Sequence, residues 1–278
     1  MRFYLGTHQP GWLCKAAVPL FISDVRLSRY KSLPRAVGRW ALDSGGFSML
    51  SVYGTWDAGP TPKEYAARVR RYASEVGGLD WAAPQDWMCE PFITAKTGLS
   101  VTEHQHRTVA NYLELRSVAS DLPFVPVLQG FTLTDYLTCV DFYDRAGVDL
   151  VSAQVVGVGS VCRRQGTREA AQIMHALTVR LPGVALHGFG VKTTGLGQYG
   201  ALLSSADSMA WSYCAREEDP LPGCTTHINC ANCLRYALIW RDKVLTRLTP
   251  APAPTTKVRR RRAADPAQLS LLDLETAA

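Results

Sequence analysis

Arg39-Trp40-Ala41-Leu42-Asp43-Ser44-Gly45-Gly46-Phe47 is an apolar run that ends in an acid, a serine and two glycines. It reads as a buried strand that delivers a carboxylate to a tight turn. With no side chains at Gly45 and Gly46, a flat ligand can lie against the main chain there. An Asp-initiated turn after a strand is common by itself, but here the plan repeats, and the repetition decides the fold. Short apolar runs recur at residues 3–5, 20–22, 40–42, 79–83, 124–128, 150–151, 184–186 and 206–211. Helix-like segments fill most of the intervals, at residues 62–75, 101–119, 134–146 and 168–180. Strands alternating with helices predict an α/β fold with a parallel sheet, and eight such units predict a (β/α)8 TIM-like barrel.

Just past these runs stand His8, Asp24, Asp43, Asp86, Gln129, Gln154, Gly188 and Asp207. In a barrel the strand C-terminal ends converge on one face, where active sites sit. For His8, Asp24 and Gln154 an ordinary loop or capping role is the simpler expectation. Carboxylates and a glutamine beside exposed glycines predict a pocket for a polar planar ligand. A carboxylate and an amide together read both the donors and the acceptors of a purine edge.

The chain has 278 residues, 47% hydrophobic and 19% charged, enough for one sizeable core. No 18-residue apolar run predicts a membrane span. The opening Met1-Arg2-Phe3-Tyr4-Leu5 lacks the pattern of an export signal, so the expectation is a cytoplasmic protein. Its eight cysteines are then free thiols or metal ligands rather than disulfides. Cys224, His227, Cys230 and Cys233 form a C-x2-H-x2-C-x2-C cluster. Four soft or borderline ligands within ten residues fit a closed, tetrahedral, structural zinc site.

Composition changes at Thr249, where prolines begin to alternate with small residues. The expected division is a barrel over residues 1–248, including the zinc segment 224–233. A Pro-rich linker and basic, disordered tail follow over residues 249–278. Lys257, Arg259, Arg260, Arg261 and Arg262 supply +5 of the net charge of +6, leaving +1 for everything else. That run is expected to make sequence-independent phosphate contacts.

The motifs Leu42-Asp43-Ser44-Gly45-Gly46-Phe47, Pro84-Gln85-Asp86, Leu128-Gln129-Gly130, His187-Gly188-Phe189-Gly190 and Ala206-Asp207-Ser208-Met209-Ala210-Trp211, followed by a zinc-like cluster, resemble in their order a tRNA-guanine transglycosylase-type barrel. The resemblance spans roughly residues 3–245. The short chain and the opening Leu5-Gly6-Thr7-His8-Gln9-Pro10-Gly11-Trp12 look most like the DNA-directed branch, the DpdA-type deazapurine enzymes of phages and bacterial genomic islands. Two departures stand out. The usual zinc pattern has a distant histidine, and no histidine follows His227; archaeal-type RNA-binding domains are also absent.

The resemblance implies exchange of guanine in DNA for a 7-deazaguanine base, such as 7-cyano-7-deazaguanine. Asp207 matches the nucleophile and Asp43 the general acid/base. Asp86, Gln129 and Gly188, with Ser44, Gly45 and Gly46, match the groups that bind the base. The same chemistry on tRNA, or a non-catalytic zinc-containing nucleic-acid-binding protein, stays open as an alternative. Finally, Gln268-Leu269-Ser270-Leu271-Leu272 resembles the pentapeptide by which bacterial DNA enzymes bind the replication sliding clamp. The competing expectation is a short helix packed back on the barrel.

Overall fold

A computed structural model describes residues 1–248 of the chain. The expectations for the linker, for the basic run at Lys257 and Arg259 to Arg262, and for the clamp-like Gln268, Leu269, Leu271 and Leu272 lie outside the described residues.

In chain order the elements are β1 (Arg2–Thr7), β2 (Leu20–Ser23), α1 (Asp24–Leu27), β3 (Trp40–Asp43), α2 (Gly46–Tyr53), α3 (Pro62–Glu75), β4 (Leu79–Ala82), α4 (Pro91–Thr97) and α5 (Val101–Val118). They continue with β5 (Val127–Leu128), α6 (Leu133–Arg145), β6 (Val156–Val158), α7 (Arg168–Arg180), β7 (Leu186–Gly188), α8 (Thr193–Tyr199), β8 (Ser205–Ser208), α9 (Ala210–Glu217) and α10 (Leu234–Leu248). The long helices begin where the sequence supplies caps. Thr61 with Glu64 and Thr132 with Asp135 form reciprocal capping boxes, and Ser100 and Thr167 cap α5 and α7.

All eight strands are parallel, in the order β4-β3-β2-β1-β8-β7-β6-β5. The first strand pairs with both the second and the last, so the sheet curls back on itself. β4 meets the segment ahead of β5 through a single parallel bridge, Ala82 to Phe124. Pro123 and Pro126 flank that point, and neither has an N–H to give to a ladder. The strand expected over residues 124–128 is therefore reduced to Val127–Leu128.

Residues 150–151 are not a strand. The Asp149 carboxylate accepts the Val151 N–H at 3.0 Å and the Ser152 N–H at 3.3 Å, which turns the chain. The sixth strand lies six residues later, and Gln154 precedes it, bonded to the Asp80 carbonyl at 3.2 Å. Gln154 thus belongs to the amino end of the sheet. Trp211 lies in α9 rather than in β8, and its indole N–H reaches the Gly6 carbonyl at 2.8 Å.

Two apolar layers follow from the alternation of side chains across strands. One packs the outer face of the sheet against the helices, with Leu5, Ile22, Leu42, Leu128, Val156, Val158 and Leu186 among its buried members. The other lies on the inner face and gathers Tyr4, Phe21, Ala41, Trp81, Ala83, Val125 and Val155, with Phe189 against it. One cluster fed from β1 through the entry to β6 means that the inner face is filled by side chains and is not a channel.

Candidate active site at the carboxyl ends of the strands

β3 delivers Asp43 to the carboxyl end of the sheet. Its Oδ1 accepts the Gly45 N–H at 3.0 Å, closing an Asp-initiated turn. Gly45 sits at φ +89°, where L side chains are strained, and a side chain there would also strike Val25. The space above Gly46 is taken by Asp86, with Oδ1 3.0 Å from where a Cβ would stand. The two glycines therefore admit protein neighbours, and the expected bare main-chain surface is not formed. Burial pushes the Asp43 carboxyl up from its ordinary range. The negative charges of Asp207 and Asp24 act in the same direction, against hydrogen bonds from Gly45 and Ser23.

Asp207 comes from β8 and is 7% exposed. One oxygen, Oδ1, accepts the Gly190 N–H at 2.9 Å and faces His187 Nε2 at 3.3 Å. His187 is fully buried, with rings of Tyr4, Phe21, Trp81 and Phe189 around it and Nδ1 2.9 Å from the Ser205 hydroxyl. With the proton on Nε2, the ring donates to Asp207 and accepts from Ser205, so every polar atom is satisfied. The contacts from Gly190 and His187 both fall on the one Asp207 oxygen, Oδ1.

Asp86 follows β4, and its carbonyl takes the Trp56 indole N–H at 3.0 Å. Gln129, from the end of β5, is fully buried and donates its amide to Asp86 Oδ2 at 2.5 Å. The Ser44 hydroxyl stands 3.4 Å from Asp86 Oδ1. The Gln129 side chain crosses Gly159 so closely that a Cβ there would lie 2.2 Å from Nε2, so only glycine fits. Burial, and then the charge of Asp43, raises the Asp86 carboxyl to about 7, against the hydrogen bonds from Gln129 and Ser44.

The structure thus brings Asp43, Asp86, Gln129, Ser44 and Asp207 to one end of the sheet. Gly188 is part of the β6–β7–β8 ladder, and Val191 and Leu203 wall the position a side chain would take. Asp24 is held by Arg68 at 2.8 Å and the Tyr72 hydroxyl at 2.7 Å, as a structural acid. His8 stacks on Trp211 and bonds Asn232. Three participants were not singled out from sequence: His187, Ser160 and Glu90. His187 lies inside a quoted motif, where the neighbouring glycine drew the reading. Ser160 ends β6, the strand that the sequence misplaces.

The second cluster is equally compact. The ligand atoms of Cys224, His227, Cys230 and Cys233 all lie within 4.8 Å of one another. Cys224 Sγ is 4.0 Å from Cys233 Sγ, and His227 Nε2 is 3.3 Å from Cys230 Sγ. Tetrahedral bonds of about 2.3 Å to sulfur give sulfur–sulfur edges of just under about 4 Å. The group can hold a metal ion such as zinc. It braces the segment between α9 and α10, where the Ala231 carbonyl takes the Ser212 hydroxyl at 2.9 Å and the Asn232 side chain takes the Gln9 amide at 3.2 Å. Among the described residues no helix is long and apolar enough to cross a membrane.

No curated protein matches the chain. A protein-family model described as DpdA, DeoxyPurine in DNA protein A, matches residues 1–272. With nearly the whole chain covered, the protein belongs to the DpdA family, which carries out deazapurine modification of DNA by transglycosylation.

Proposed function

We propose that this chain exchanges guanine in DNA for a 7-deazaguanine base by double displacement. The observation that carries the reading is the convergence of Asp207, with one oxygen anchored and one unspent, on Asp43, whose carboxyl is biased toward holding a proton. The free Asp207 oxygen attacks C1′ of the target deoxyguanosine. The C1′–N9 bond breaks, its electron pair leaves with the base, and Asp43 supplies the proton that lets guanine depart neutral. The incoming deazaguanine gives its N9 proton to Asp43 and attacks C1′, releasing Asp207. Two inversions give net retention, as in double-displacement glycosidases.

Asp86 and Gln129 bind the edge of both bases, since guanine and 7-deazaguanine share the N1–H and the exocyclic amine. The target nucleotide leaves its stack to reach this end of the sheet. Zinc held by Cys224, His227, Cys230 and Cys233 is structural, because all four ligand positions come from the protein. Lys257, Arg259, Arg260, Arg261 and Arg262 add phosphate contacts that carry no sequence information.

The test is incorporation of radiolabelled guanine into duplex DNA and into bulk tRNA, followed by mass spectrometry of nucleosides from cells that express the protein. Label in DNA and a deazapurine deoxynucleoside are expected. Label confined to tRNA would move the substrate, and label in neither would remove the reaction.

A further inference from the structure

Beneath the base-reading pair lies a chain of buried polar groups that leads away from the site. Gln129 Nε2 donates to Asp86, and Gln129 Oε1 is 2.7 Å from the Ser160 hydroxyl. Ser160 Oγ is also 2.8 Å from Glu90 Oε2 and receives the Cys89 N–H at 2.7 Å. Ser160 and Glu90 are 4% and 5% exposed. Ser160 is the one non-glycine residue with positive φ among the described residues, at +53°, a strained backbone that puts its hydroxyl at this junction.

The donors can be counted. A serine hydroxyl has one proton and two lone pairs. The Cys89 N–H occupies one lone pair. Because the Gln129 nitrogen faces Asp86, its oxygen needs a proton, and among the described residues Ser160 is the donor within reach. The remaining Ser160 lone pair must then accept from Glu90, and a carboxyl group donates only when protonated. Turning the Gln129 amide over reverses every bond and puts the proton on Asp86, with Glu90 ionised. The chain therefore holds one proton between its two terminal acids.

We infer that Glu90 is a positioning residue that keeps this proton, so that the Gln129 amide stays turned with its nitrogen toward Asp86 and Asp86 stays a carboxylate. This rests on the reading of Asp86 and Gln129 as the base-reading pair. An ionised Asp86 accepts the N1–H and the exocyclic amine of guanine. A protonated one presents a donor to those donors and repels them. Glu90 thereby sets the pattern that the pocket reads, although Ser160 and Gln129 stand between it and Asp86.

The groups around Glu90 fit this distribution. Burial raises its carboxyl; Arg163 and Arg164, on the turn Cys162–Arg164, oppose that weakly, after the Ser160 bond. Neither arginine forms an ion pair with it among the described residues: Arg163 lies over the Phe92 ring at 4.5 Å and Arg164 over the Phe131 ring at 4.5 Å. Tyr136 of α6, Cys89 and Cys162 also lie near it, and burial raises each of them, so none brings a charge to Glu90.

The experiment compares Glu90→Gln with Glu90→Ala, using radiolabelled guanine exchange into duplex DNA and infrared spectroscopy of the full chain. Glu90→Gln keeps a donor to Ser160 at all pH values. Exchange is expected within about threefold of wild type, whereas Glu90→Ala loses about tenfold or more, mainly in affinity for guanine. Wild type at pH 8, above the value of about 7 at which Asp86 gives up its own proton, should show a carboxylic-acid C=O band that is missing from Glu90→Gln. A Glu90→Gln variant as impaired as Glu90→Ala, or the absence of that band, overturns the inference. If Glu90→Ala does not fold, Glu90→Gln and the band decide the matter. If wild type shows no exchange at all, the transglycosylase reading fails, while the band still reports where the proton resides.

Discussion

Asp80, at the amino end of the sheet, receives Arg2 at 2.8 Å, Arg39 at 2.5 Å and the Tyr4 hydroxyl at 2.9 Å. At the carboxyl end, Asp43, Asp86 and Asp207 crowd together, and among the described residues no arginine or lysine pairs with any of them. Each of these acids is drawn out of water by the same curled sheet. Only at the amino end does the protein neutralise the charge. The two arginines and the tyrosine hydroxyl engage both Asp80 oxygens in fixed contacts. At the carboxyl end burial, with no cation to offset it, raises the Asp43 carboxyl from its ordinary range and the Asp86 carboxyl to about 7. The amino end thus holds a paired acid and the carboxyl end a group of acids without cations, the distribution expected if the proposed chemistry sits at the carboxyl end of this parallel sheet.

The largest way to break this comparison is Asp207→Asn. An amide cannot form the glycosyl ester, so guanine exchange should fall by at least about a thousandfold in a protein that melts normally. Near-normal exchange would take Asp207 out of the nucleophile's place. Asp43→Asn comes next, with an expected loss of about a hundredfold to a thousandfold in kcat, because an amide cannot shuttle the base proton. If that variant lost only affinity for DNA, Asp43 would be a binding residue.

The converse substitution is Asp80→Asn. It strands two arginines that are themselves half exposed, so the cost should be about 2 kcal/mol, below the range for a fully buried pair. Thermal melting should show that loss, with exchange per folded molecule unchanged. An activity defect in folded Asp80→Asn would erase the contrast between the two ends.

The smallest effect sharpens the contrast through pH. Asp86 holds its proton more tightly when folded, at about 7, than the ordinary 3.8 of an unfolded chain. Protonation therefore favours the folded state. That contribution is complete below the unfolded value and is gone once pH has risen past about 7. Relative to Asp86→Asn, wild type should lose on the order of 1 kcal/mol of stability per pH unit across this window. Chemical denaturation at pH 5, 6, 7 and 8 measures the difference, and parallel curves for the two proteins would contradict it.

The alternation of apolar runs with capped helical segments was visible in the sequence because periodicity and caps are local. Thr61, Ser100, Thr132 and Thr167 each cap a helix by accepting the N–H three residues on, so every one of these starts is encoded in a short window. Asp43, Asp86, Gln129 and Asp207 were legible because each follows such a run, and the ligand cluster because its four members lie within ten residues. β6 was misplaced because Leu150-Val151 is the more apolar pair, whereas the turn made by the Asp149 carboxylate needs only local hydrogen bonds. Once that strand was displaced, Ser160 had no reason to be noticed.

What the sequence determined alone is much of what a short window encodes: the alternation of strands with helices, the polar residues Asp43, Asp86, Gln129 and Asp207, and the soft ligands of the cluster. Which acids are paired with cations and which are buried without them was decided by tertiary structure. Arg2, Arg39 and Asp80 are far apart in the chain and adjacent only across the sheet. The same holds for Glu90, which in sequence reads as the residue before a helix-opening proline. Only the packing of α4 and the end of β6 beneath Gln129 puts it 2.8 Å from Ser160. Burial and charge are properties of the assembled neighbourhood, and a carboxyl group's chemistry follows from them rather than from its flanking residues.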